Sequence, residues 1–95
     1  MIKIIVSGLA GIKLSFEEQV MVDKKEMKIK NLIEKLLEKR PEIKEYLDPH
    51  RIRPRPGILV LLNGIDINLL LDNNISEVID NSKIELKIIP VNHGG

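Results

Sequence analysis

Residues 29–43, IKNLIEKLLEKRPEI, carry the one sustained helical period of the chain. Ile29, Leu32, Ile33, Leu36 and Leu37 fall at i, i+3, i+4, i+7 and i+8, a single apolar stripe, with lysines and glutamates on the other face. Lys39 and Arg40 place cations at the negative end of the helix dipole, and Pro41 stops the helix because it cannot donate to the preceding turn. The helical period begins from Met27; Asp23 and Glu26 have the spacing of a capping box, but so early a start would put Met27 and Lys28 mid-turn, and the boundary is placed within a few residues. A helix with one apolar stripe needs one apolar sheet face to cover it.

The flanking sequence supplies strands of that kind. Ile2, Ile4 and Val6 alternate with Lys3, Ile5 and Ser7, the period of a half-buried strand. Gly8-Leu9-Ala10-Gly11 breaks it as a turn, and a second alternating stretch, 16–22, pairs with it as a hairpin. After the helix, 48–57 (DPHRIRPRPG) is expected to be an ordered loop without repetitive structure. Ile58 to Leu62 is an aliphatic strand closed by Asn63-Gly64, a strong hairpin signal, and Ile65 to Leu71 is expected to return as a short strand. Asp72-Asn73-Asn74 turns, Ser76 to Ile79 is expected to make one helical turn, and Ile84, Leu86 and Ile88 alternate as a last strand stopped by Pro90. Strand, strand, helix, strand, strand, strand is the α+β arrangement called β-grasp: a mixed five-stranded sheet with one main helix packed on one face. The strongly aliphatic first and last strands are expected side by side and parallel at its centre. The expected organisation is one domain, 1–90, and a flexible tail, 91–95, ending in Gly94-Gly95.

Composition narrows the function. Isoleucine, leucine and valine make up 35 of the 41 hydrophobic residues, so the core must be aliphatic. With only Phe16 and Tyr46 as aromatics and a formal charge of +1, the chain has neither stacking platforms nor a broad phosphate-binding field. Direct nucleic-acid binding is therefore not expected. The absence of cysteine removes disulfides, thiolate nucleophiles and thiolate metal sites. No apolar run approaches the roughly 20 residues of a membrane span, and Lys3 interrupts the apolar opening too early for a signal peptide. A soluble, cytoplasmic protein is expected.

Few residues suggest chemistry. His50 and His93 have no third ligand at metal spacing, so no metal site is expected. The GLAG at 8–11 lacks the lysine and hydroxyl of a phosphate loop and reads as a hairpin turn. Arg51, Arg53 and Arg55 form either a solvated loop stiffened by Pro54 and Pro56 or a handle for an acidic partner. The end of the chain is the remaining feature. At a background glycine frequency of about 7%, two terminal glycines arise about once in 200 chains by chance. A frayed tail is one reading. The other is chemical: a glycine carboxylate carries no side chain, and Val91 to Gly95, spanning about 17 Å when extended, can thread it into another enzyme's active site.

RPGILVLLNG at 55–64, IKNLIEKLLEKRPEI at 29–43 and the terminal HGG together resemble the ubiquitin-related modifier family of sulfur carriers and protein modifiers. The resemblance covers the helix to the C-terminus, about two-thirds of the chain. Two positions depart from it: Gly64 stands where the family usually has an acidic residue, and Ile67 where it has a tryptophan. Asn63-Gly64 and Pro90 lean toward the small subunit of molybdopterin synthase, a related sulfur carrier. The resemblance implies a protein substrate rather than an enzyme, with no intrinsic cofactor. An activating enzyme using ATP would adenylate Gly95, and a sulfur donor such as a sulfurtransferase would convert the product to a thiocarboxylate. That sulfur would pass to a tRNA-thiolation enzyme, or the tail would join lysines of target proteins. Val91, Asn92, His93 and Gly94 would lie in the partner's channel.

Strand parity adds a docking surface. If Ile84, Leu86 and Ile88 face the helix, Ile89 points the other way, and Leu61 does likewise beside inward Val60 and Leu62. Leu9 would lie near them, completing an apolar patch for partners. A dedicated molybdopterin carrier and a non-covalent β-grasp interaction module are the competing readings.

Overall fold

The computed structural model describes residues 1–22, 28–73 and 83–91. Strands β1 (Ile2–Gly8) and β2 (Ser15–Val20) form the hairpin, and α1 (Ile29–Lys39) follows. A 3₁₀ turn (Pro41–Glu45) leads to β3 (Leu47–Asp48), β4 (Arg53–Pro54), β5 (Ile58–Leu62), β6 (Ile65–Asp66), α2 (Ile67–Asp72) and β7 (Lys83–Pro90). The main sheet runs β2-β1-β7-β5-β6, with β1 and β7 parallel at the centre and the other pairs antiparallel. This is the β-grasp arrangement expected from element order.

Register explains which face is buried. Ile4 pairs with Ile84, Val6 with Leu86, Val60 with Ile88 and Leu62 with Leu86, so one face carries aliphatics across the three central strands. The stripe of α1, Ile29, Leu32, Ile33, Leu36 and Leu37, is buried in the same cluster. Among the described residues no polar or charged side chain is buried, so the core is aliphatic throughout.

Two expectations are corrected. Residues 65–71 are not a strand: β6 ends at Asp66, whose carboxylate accepts the Asn68 N–H and caps α2. Ile67 and Leu70 are buried one helical turn apart, whereas Leu69, which a strand would have placed with Ile67, is 56% exposed. Residues 48–57 are not free of repetitive structure, because Leu47↔Pro54 and Asp48↔Arg53 pair as a small hairpin. The Asp48 carboxylate accepts the amide of His50 at 2.9 Å, which folds the tip back on itself. Pro41 ends α1 as expected but also opens the 3₁₀ turn, where a missing N–H costs nothing, and this turn buries Ile43. Smaller shifts are that β2 stops at Val20 and β7 reaches Pro90, opposite Ile58. The Asp23–Glu26 cap and the 76–79 turn lie outside the described residues. Asn63 (φ 50°) and Gly64 (φ 83°) both have positive φ, the signature of the tight turn that joins twisted strands.

The end of α1 is tied to β2 electrostatically. Arg40 Nε donates to Glu18 Oε2 at 2.7 Å while its guanidinium sits 4.3 Å from the Phe16 ring centre. Lys39 and Lys35 donate to the Gln19 and Met21 carbonyls at 2.7 and 2.5 Å, occupying polar groups on an edge strand that would otherwise invite pairing. The Arg40 hydrogen bond holds the Glu18 carboxyl below its ordinary value of 4.5. A depressed carboxylate contributes stability that is complete above its unfolded value and lost as pH falls through the folded one. The melting temperature should therefore fall as pH drops below 4.5. Glu18→Gln should melt lower at neutral pH but lose less on acidification, a difference visible in melts between about pH 7 and pH 2. Parallel pH profiles for the two proteins would show that Glu18 carries none of the acid sensitivity.

Candidate functional site: the tail exit and the uncovered sheet face

The route to the C-terminus is fixed by a turn. Arg55-Pro56-Gly57 closes with the Ile58 amide donating to the Arg55 carbonyl at 3.0 Å, and Gly57 has φ +82°. Proline followed by a positive-φ glycine is the sequence pattern of a type II turn. The Gly57 carbonyl then accepts the Val91 N–H at 2.8 Å, one residue beyond the end of β7. Val91 is thus held against this turn where the tail departs. Asn92, His93, Gly94 and Gly95 lie outside the described residues.

That exit adjoins the sheet face opposite α1. The Leu9 amide donates to the Ile88 carbonyl at 3.0 Å, extending the parallel pairing of Gly8 with Ile88 by one residue. Leu59 pairs with Ile89, and Leu61 with Lys87. Leu9, Ile89 and Leu59 therefore form one row across the face, with Lys87 and Leu61 in the next. Leu9 is 42% exposed, and Leu59, Leu61 and Ile89 are half-buried. The sequence reading missed Leu59, although it shares the strand parity of Leu61.

The arginines serve separate partners. Arg53 donates to Asp72 at 2.6 Å and to the Asn68 side chain at 3.0 Å, fastening β4 to α2. Arg55 Nε donates to the Lys44 carbonyl at 2.7 Å and covers the 3₁₀ turn. Arg51 is exposed, and its amide leans on Asp48. A single handle of three equivalent arginines is not what the fold builds.

The described body is chemically plain. No cluster of three metal-ligating side chains occurs among the described residues. The shifted titrations are those of surface groups: Glu18 and Asp48 are lowered, and Arg40 is raised by its hydrogen bond to Glu18. The backbone amide of His50 is the main cause for Asp48. None of these faces a cavity suited to acid–base work. No helix among the described residues is long and apolar enough to cross a membrane.

A mixed sheet with a central parallel pair and one main helix packed on one face defines a ubiquitin-like fold. The chain belongs to the Urm1 (ubiquitin related modifier) family, whose model matches residues 3–95. The curated proteins contain no match to it. Members of this family are ubiquitin-like modifiers and sulfur carriers rather than catalysts.

Proposed function

We propose that the reacting group of this chain is the carboxylate of Gly95, which carries sulfur and joins the chain to other proteins. The observation behind this reading is the family match, which runs through residue 95. It is joined to a fold that holds Val91 at a set point beside an uncovered apolar face. In this reading the chain contributes only its terminal carboxylate, and the activating and acyl-transfer chemistry belongs to its partners. In an activating enzyme, a Gly95 carboxylate oxygen attacks the α-phosphorus of ATP, pyrophosphate leaves, and an acyl-adenylate forms. Sulfide, released from the persulfide of a sulfur donor such as a sulfurtransferase by a reducing thiol that is oxidised to a disulfide, then attacks the acyl carbon, AMP leaves with the bonding pair, and a thiocarboxylate results. A tRNA-thiolation enzyme would draw on that sulfur. A lysine amine of a target protein attacking the acyl-adenylate instead forms an isopeptide bond and releases AMP.

The chain's own residues contribute reach and shape. Val91 to Gly94 link the Gly95 carboxylate to the last strand, and Gly94 and Gly95 have no side chain to obstruct a narrow channel. With no cysteine in the chain, sulfur cannot ride on it as a persulfide and must sit on the terminal carboxyl. Incubation with ATP, sulfide and the activating enzyme should raise the mass of the chain by the exchange of one oxygen for one sulfur. An unchanged mass under conditions where the enzyme consumes ATP would overturn the reading. Co-purification as a stable complex with a large molybdopterin synthase subunit would redirect the sulfur to that pathway.

The uncovered face is the surface on which the activating enzyme docks. Leu61→Glu should leave the melting temperature nearly unchanged, because the new carboxylate lies on an uncovered face opposite Lys87. It should slow activation by roughly tenfold or more, since it sets a charge into an apolar contact. Wild-type activation kinetics for this variant would remove the face from the docking surface.

A further inference from the structure

Between the start of α1, the β3–β4 turn and α2 lies a recess of about 310 Å³ lined by Lys28, Ile29, Lys30, Arg51, Ile52, Arg53, Leu70 and Leu71. Its composition is sorted. Ile29, Ile52 and Leu70 are buried and make an aliphatic floor, while the two lysines and two arginines form the rim. Among the described residues, Lys30 is ion-paired only with Glu34, at the 4.0 Å limit, and Arg53 with Asp72 at 2.6 Å, while no ion pair engages Lys28 or Arg51. The first turn of α1 carries no acidic residue, and Lys28 makes no side-chain cap, so the positive end of the helix dipole adds to the rim. The tip that presents Arg51 and Arg53 is built on an unusual backbone. Ile52 has φ +52°, a region β-branched residues rarely enter, and it buries its side chain in the floor with the arginines on either side.

We propose that this recess is a binding site for a small anion bearing a phosphoryl or pyrophosphoryl group. A nearly neutral chain concentrates four cations around one concavity, and two of them have no carboxylate partner among the described residues. The guanidinium fork of Arg51 matches phosphoryl oxygens in a bidentate manner, and Arg53, held by Asp72 and Asn68, is a preset second cation. The volume lies at the lower end of small-ligand sites, roughly 300–1,000 Å³, which excludes a large ligand. No aromatic side chain lines the recess, so nothing there stacks a nucleobase. A phosphorylated aliphatic or sugar fragment fits the lining better than a nucleotide. This site is on the helix side of the molecule and is independent of the tail chemistry.

The test is an amide-resolved NMR titration of the full chain with inorganic pyrophosphate at low ionic strength, with no activating enzyme present. Saturable shifts are expected at residues 28–30 and 51–53, with a Kd of about 1 mM or tighter. Arg51→Gln and Lys28→Gln should each weaken binding at least about fivefold, and Lys13→Gln, in the β1–β2 turn, should not. Both rim side chains are exposed, and unchanged melts verify that the variants fold. A tenfold rise in salt should also weaken wild-type binding severalfold, a measurement that needs no variant. Unsaturable shifts spread over lysines around the molecule, equal in wild type and Arg51→Gln, would overturn the proposal. So would saturable binding of a polyglutamate peptide at these amides with no response to pyrophosphate, which would assign the face to an acidic protein segment.

Discussion

Deletion of Gly95 should reduce thiocarboxylate formation by about a hundredfold or more while leaving the melting temperature unchanged. The shortened chain still ends in a glycine, so its terminus keeps the same chemistry. What it loses is reach, about 3.4 Å for one extended residue. Acyl transfer needs the reacting atoms within roughly 3–3.5 Å of each other, and a misplacement of 1 Å can cost about a hundredfold. The tail cannot slide forward to compensate, because Val91 is hydrogen-bonded to Gly57 and the strand before it is paired to Pro90. Stability should not register the change. The buried residues of the described core run from Ile2 to Ile88, and terminal residues outside a core carry little folding free energy. Mass spectrometry after activation and a thermal melt read the two halves of the prediction. Wild-type thiocarboxylate formation by the truncated chain would remove Gly95 from the reaction.

Leu36→Ala should produce the largest loss of stability, about 2–5 kcal/mol. Leu36 is fully buried in the middle of the α1 stripe, in the same aliphatic cluster as Val60, Leu62 and Leu86. Truncation removes the transfer free energy of three heavy atoms and leaves a cavity that branched neighbours on a paired sheet cannot easily fill. For a domain of this size each kcal/mol lowers the Tm by roughly 4–8 °C, so a drop of about 10 °C or more is expected. The denaturant midpoint should fall with no change in slope, since the same surface is exposed on unfolding. Leu69→Ala makes the control: on the exposed side of α2 it should shift stability by no more than about 0.5 kcal/mol. A loss below about 1 kcal/mol at Leu36 would mean the helix does not bury this stripe.

Much of the fold was legible in local pattern. The 3.6-residue stripe of α1 and the alternation of β1 and β7 each depend on the identity of near neighbours only, and each stands in the structure as read. The Asn63-Gly64 turn is the same case, because two consecutive positive φ angles favour those residues whatever surrounds them. The strand expected over 65–71 failed for an instructive reason. Ile65, Ile67, Leu69 and Leu71 alternate, but Ile67, Leu70 and Leu71 also share a helical face. Asp66 decides between them by capping the helix. The small hairpin at 47–54 was hidden because prolines and arginines mask a two-residue pairing.

The candidate site divides along the same line. That the chain ends in two glycines, holds no cysteine and builds an aliphatic core follows from the sequence alone, because these are statements of covalent composition. Which arginines fasten other elements does not. Arg51, Arg53 and Arg55 are equivalent as letters, and only side-chain hydrogen bonds to Asn68, Asp72 and Lys44 set Arg53 and Arg55 apart as structural. The recess beside Arg51 likewise joins residues 28–30, 51–53 and 70–71, which no local pattern connects. Periodicity reports on contacts within a turn or a strand, whereas long-range placement is decided by how separate elements bury their apolar faces together. The sequence by itself determined the main helix, the central strands and the covalent composition of the tail. The tertiary structure decided where Val91 is held, which apolar residues stay uncovered and which arginines are tied to other elements, since those depend on contacts between residues far apart in the chain.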